Sequence, residues 1–216
     1  MSFMKEVLNH NIPIWDKCAE TPFVREMQDG SLSFERFKDF MIQDSIYLKH
    51  YARAYGKAIY HATTLKDIQL YYSALNFITL PDSSIRLSYL KQFGMTDDDI
   101  EVISPLPENQ EYINFLLEIA EHGNEISILM SVLPCMLSYS YIFRKIASIE
   151  SSIKSRYWDF IQDYADDTYA ENCRTWYFFA DKKCSILSET EQIKLSGIFE
   201  KASMLELAFW NMAYGD

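Results

Sequence analysis

A thiol, two carboxylates and a set of phenols are the groups in this chain whose positions invite chemistry. Cys135 sits near the middle of the longest uncharged stretch, residues 126–143, with Tyr139 one helical turn beyond it. Pro134 precedes the thiol, and Ser131, Ser138, Tyr139 and Tyr141 place hydroxyls around it. Each hydroxyl needs a hydrogen-bond partner once buried, so a wholly apolar core has little use for so many. Two readings follow: a structural thiol in a core helix, or a polar pocket built around a thiol. In the second, the chemistry open to the pocket is that of a thiol, which attacks better as a thiolate.

The carboxylates are Asp44 and Glu206. Asp44 lies in Gln43-Asp44-Ser45-Ile46-Tyr47, and the three-residue step puts Asp44 and Tyr47 on neighbouring parts of one helix face. Such a carboxylate is either solvated or the anchor of a ligand, and spacing alone does not choose. Glu206 stands in Met204-Leu-Glu-Leu-Ala-Phe-Trp210, beside large apolar groups. If the helix exposes it, it is one more surface acid. If the helix buries it, apolar surroundings make a carboxyl useful as a proton donor or acceptor near neutral pH.

Helices must position these groups. Residues 33–61 read as one long helix opened by Ser33, with Phe37, Phe40, Met41, Ile46 (one residue off the stripe), Tyr47, Leu48 and Tyr51 recurring at three- and four-residue steps. Asp29-Gly30-Ser31 before it reads as a turn. Further helices are predicted over 64–79, 82–93, 112–121, 125–148, 150–164 and 167–187. Gly94 is expected to stop one of them, and Asp97–Asp99 to start the next. Ser188-Glu-Thr-Glu191 resembles a capping box that launches a last helix toward Tyr214. No segment alternates like a strand, and no linker is long enough to divide the chain. The expectation is a single all-α domain over residues 1–216.

Composition excludes several functions. The net charge of −11 comes with no basic cluster, so no nucleic-acid partner is expected. Residues 126–143 hold four Ser, two Tyr and a Pro, which suits a core helix better than a membrane span, so no membrane partner is expected. The four cysteines, at 18, 135, 173 and 184, form no CxxC pair. With no signal-peptide pattern at the start, they read as thiols in a reducing cytoplasm. A di-iron carboxylate site needs Glu three residues before His, but Val7, Tyr47, Ala58 and Ile119 precede the four histidines. HExxH, P-loop and GxGxxG patterns are also missing, so neither metal nor cofactor is expected. The 15 Tyr, 14 Phe and 4 Trp fit an interface or a pocket for a flat ring.

Several segments together resemble one family. Pro22-Phe-Val24, Asp29-Gly-Ser-Leu32, Arg36-Phe37 and Gln43-Asp44-Ser-Ile-Tyr47-Leu48 look like the N-terminal signature of TenA-type proteins. Leu133-Pro-Cys135 followed by Tyr139 resembles the cysteine segment of that family's class II thiaminases. Glu206 followed by Phe209-Trp210-Asn-Met-Ala-Tyr214 resembles its C-terminal signature. One departure stands out: many relatives carry Glu and, four residues later, His where this chain has Asp82 and Arg86.

The resemblance implies a helical bundle of the haem-oxygenase-like type, without haem, assembled as a homotetramer. It also implies an aminopyrimidine or thiamin substrate, with hydrolysis between the pyrimidine methylene and its leaving group, in salvage of the thiamin pyrimidine. Cys135 would be the nucleophile and Glu206 the acid/base. Asp44 would hold the amino group and adjacent ring nitrogen, while Tyr47, Tyr112, Tyr139 and Tyr164 would line the site. The alternatives are a non-catalytic or regulatory pyrimidine-binding protein, and a related enzyme with another substrate.

Overall fold

The computed structural model describes residues 2–75 and 85–215. Their regular elements are all helical, as the periodicity predicts. In chain order they are α1 (Phe3–Glu20), α2 (Pro22–Asp29), α3 (Phe34–His61), α4 (Leu65–Ser73), α5 (Ile85–Gln92) and α6 (Asp97–Glu101). There follow α7 (Pro107–His122), α8 (Glu125–Ala147), a 3-10 turn (Glu150–Lys154), α9 (Trp158–Ala165), α10 (Asp167–Cys184) and α11 (Glu189–Tyr214). The chain falls into two compact units, residues 1–32 with 130–216, and residues 33–129.

In the first unit α1 packs along α11, and α2 and α10 pack beside α1. Sequence reasoning passes over α1 and α2. Ser2 nevertheless caps α1, its hydroxyl accepting the Lys5 amide at 3.4 Å, and Pro22 occupies the first turn of α2. A first-turn proline gives up no helical hydrogen bond. Gly30 ends α2 at φ +82°, a left-handed conformation glycine adopts without strain. The box at Ser188 and Glu191 forms as expected: the Ser188 hydroxyl accepts the Glu191 amide, and the Glu191 carboxylate accepts the Ser188 amide at 3.0 Å.

One predicted helix is corrected in this unit. Residues 150–164 are not continuous: the 3-10 turn ends at an extended Ser155, and α9 begins at Trp158. Serine side chains take over the backbone bonding there. The Ser152 hydroxyl donates to the Ile146 carbonyl at 2.7 Å; that of Ser155 donates to the Met27 carbonyl at 2.6 Å and accepts the Tyr157 amide at 3.1 Å. Such local bonds compete with the helix ladder and win where serines cluster.

The second unit is built around α3, with α7, α4, α5 and α6 packed against it. Ser33 caps α3 as expected, its hydroxyl accepting the Arg36 amide at 3.3 Å. The helix predicted over 112–121 begins earlier, because Pro107 fits the first turn of α7. Gly94 closes α5 with φ +68°, and Thr96 with Asp99 forms a capping box for α6. The helix predicted over 64–79 is present as α4, with Thr64 as its cap. The end of that prediction, the start of the one over 82–93, and Asp82 itself lie outside the described residues.

Helix α8 is the one described helix long and apolar enough to cross a membrane, yet most of its apolar window is buried within the protein. Residues 125–129 of it belong to the second unit and the remainder to the first. Pro134 lies inside it and donates no amide hydrogen, so the Met130 carbonyl loses its helical partner.

Candidate active site

Helix α8 presents Cys135 with partial exposure to solvent, whereas Cys18, Cys173 and Cys184 are buried. Burial pushes the thiols of Cys173 and Cys184 up to about 12, and that of Cys18 still higher, with the charge of Glu206 adding to the effect on Cys18. These three are core thiols that stay protonated. Of the four cysteines, the one singled out by its neighbours in the sequence is the one solvent reaches.

Tyr139, one turn after Cys135, is 5% exposed and sits in a nest of rings. Its ring centroid lies 5.0 Å from that of Tyr164 and 5.2 Å from that of Trp210. Trp210 is one turn from Glu206 on α11, and Glu206 is only 2% exposed. Of the two sequence readings for Glu206, the structure gives the buried one. The same helix is held by the Trp15 indole, which donates to the Ser203 hydroxyl at 3.2 Å. The first unit thus carries Cys135, Tyr139, Tyr164 and Glu206, joined by α8, α9 and α11.

The second unit carries Asp44, Tyr47 and Tyr112. Asp44 is 7% exposed, and Tyr47 stands one turn away on α3, its ring 4.6 Å from that of Tyr112 on α7. Burial pushes the Asp44 carboxyl up to about 7, against the opposing pull of the Arg86 guanidinium. Asp44 is therefore poised between its charged and neutral forms near neutral pH. Arg86 donates to the Ser45 hydroxyl at 3.2 Å and to the Asp97 carboxylate at 2.9 Å, beside a cleft of about 270 Å³.

Sequence reasoning missed the pair that sets the register of α3 against α7. Fully buried Asn109 donates to the Gln43 backbone carbonyl at 2.8 Å and to its side-chain oxygen at 2.9 Å, and the Leu106 amide donates to that same oxygen at 2.9 Å. Asn109 shares the i, i+3, i+4 face of Tyr112, Ile113 and Leu116, a polar residue in an apolar stripe. That was the available signal. Among the described residues, no three His, Cys, Asp or Glu side chains gather to hold a metal ion.

A profile of the TENA/THI-4/PQQC family matches residues 10–216. An aminopyrimidine aminohydrolase from Halalkalibacterium halodurans is 31% identical, over 100% of this chain and 97% of its own length. Among solved structures, a TenA homologue from P. horikoshii superposes with a TM-score of 0.88 at 26% identity, covering 99% of each chain. A heme oxygenase-like domain of unknown function from Shewanella denitrificans superposes with a TM-score of 0.72 at 16% identity, covering 97% of this chain and 91% of its own. The fold is thus of the heme oxygenase-like, TenA type.

Proposed function

The chain belongs to the TENA/THI-4/PQQC family, and from that premise we propose that it is a thiaminase II-like aminopyrimidine aminohydrolase. Its product is 4-amino-5-hydroxymethyl-2-methylpyrimidine, in salvage of the thiamin pyrimidine. The observation that carries this reading is the partial exposure of Cys135, on the turn that also presents Tyr139, while the other three thiols are buried. The 31% identity to an aminopyrimidine aminohydrolase, along the whole chain, supports the substrate class.

In the proposed reaction the Cys135 thiolate adds to the ring carbon next to the one bearing the aminomethyl group. A ring nitrogen takes up a proton as aromaticity is lost. The methylene then expels its amine, which leaves as ammonia after receiving a proton from Glu206. Water adds to the exocyclic carbon and returns a proton to Glu206, the thiolate departs, and the ring nitrogen loses its proton as the ring rearomatises. One aminomethyl pyrimidine and one water give one hydroxymethyl pyrimidine and one ammonia. Covalent addition replaces a direct displacement with lower steps, and a buried carboxyl is suited to the proton transfers.

By the same family correspondence, Asp44 holds the amino group and ring nitrogen, Tyr47 stacks on the ring, and Tyr112, Tyr139 and Tyr164 position the reacting groups. The single-domain organisation, the cytoplasmic location and a homotetrameric assembly belong to the same proposal. The family match runs across both units without interruption.

The test is a product assay with aminomethyl pyrimidine and with thiamin, followed by the same assay on Cys135→Ser. Hydroxymethyl pyrimidine should form with the wild-type protein. The variant should lose turnover by at least about a thousandfold while keeping its melting temperature. Tight binding of both compounds without product would make the protein a binder, and an active Cys135→Ser would remove covalent catalysis.

A further inference from the structure

Helix α8 reaches Cys135 directly after a proline, and the turn that follows is held by side chains as well as by the helix ladder. The Ser138 hydroxyl donates to the Cys135 carbonyl at 3.3 Å. The Met136 carbonyl accepts two donors from α10: the Tyr169 hydroxyl at 3.3 Å and the Cys173 thiol at 3.6 Å. Tyr169 and Cys173 are one turn apart, so both project from one face of that helix.

The Tyr169 ring also stands edge-on to Tyr164, with centroids 5.2 Å apart, and Tyr164 stands edge-on to Tyr139 at 5.0 Å. Two points of the turn bearing Cys135, the carbonyl of residue 136 and the ring of residue 139, are thereby linked to Tyr169, the ring of residue 139 also packing on Trp210. With the Met130 carbonyl deprived of its partner by Pro134, the ladder alone defines this turn less firmly than a regular helix would.

We propose that Tyr169 is a positioning residue for Cys135: its hydroxyl fixes the Met136 carbonyl, its ring fixes Tyr139 through Tyr164, and together they set the direction in which the thiol is presented. This rests on the reading of Cys135 as the nucleophile. Groups held only loosely beside a reacting atom cost rate out of proportion to their distance from it.

Tyr169→Phe keeps the ring and removes the hydroxyl. Alkylation of Cys135 by iodoacetamide, followed by mass spectrometry of its peptide, should slow about fivefold. With aminomethyl pyrimidine as substrate, kcat should fall by about the same factor with KM within twofold. A lowered melting temperature with unchanged alkylation would mark a merely structural role and overturn the proposal, as would faster alkylation. Should Tyr169→Phe fold poorly, Cys173 decides: Cys173→Ser keeps a donor toward Met136 and should alkylate at the wild-type rate, whereas Cys173→Ala should be slower. Equal rates for the two would overturn the two-donor tie.

Alkylation needs no turnover, so the two readings fail separately. Slowed alkylation in a protein that never turns over would sink the catalytic reading and leave the positioning role standing. Unchanged alkylation in an active enzyme would do the reverse.

Discussion

Asp44 shows how a single side chain couples stability to pH. In the folded chain burial holds its carboxyl up to about 7, against an ordinary value of 3.8. The folded state therefore binds this proton more tightly than the unfolded one. Ionising Asp44 costs folding nothing below about pH 4; the cost grows as pH rises and is complete above about pH 7. Asp44→Asn should accordingly melt higher than wild type at pH 8, by on the order of several degrees, with a much smaller gap at pH 5. Melting curves at the two pH values check this, and a gap independent of pH would assign the effect to something other than ionisation. Spacing made Asp44 a candidate but left its burial open, because one helix face can meet either solvent or a neighbour. The structure closed that question, leaving Asp44 only 7% exposed.

At the scale of elements, α2 and the segment before α9 meet closely in the first unit. A Cβ at Gly30 would stand 3.2 Å from the Ser155 Cα, and Gly30 already has φ +82°. The Arg156 guanidinium donates to the Gly30 carbonyl at 3.0 Å, and the Tyr157 hydroxyl to the Leu32 carbonyl at 2.7 Å. Gly30→Ala should therefore destabilise by about 1–2 kcal/mol from the left-handed backbone alone. At about 2–4 °C per kcal/mol, the melting temperature should drop measurably. Thermal denaturation tests it, and an unchanged Tm would mean that the backbone escapes the strain. Gly30 was legible as a turn from Asp29-Gly30-Ser31, since the signal is local. The break at Ser155 was not, because it depends on the Met27 carbonyl, distant in sequence.

At the scale of the whole molecule, the proposed homotetramer is open to direct measurement. Multi-angle light scattering should give four times the chain mass, and a monomer at micromolar concentration would end the tetramer proposal. By itself the sequence determined the helical class, the caps at Ser33 and Ser188, the stops at Gly30 and Gly94, and the short list of reactive groups. Those features depend on neighbours within a few residues, which periodicity and capping chemistry report directly. Only the tertiary structure decided that Glu206 and Asp44 are buried and that solvent reaches Cys135 while Cys18, Cys173 and Cys184 lie in the core. It also brought Tyr169 to the carbonyl of Met136. Burial and side-chain contact are set by residues far apart in the chain, and no local pattern carries that information.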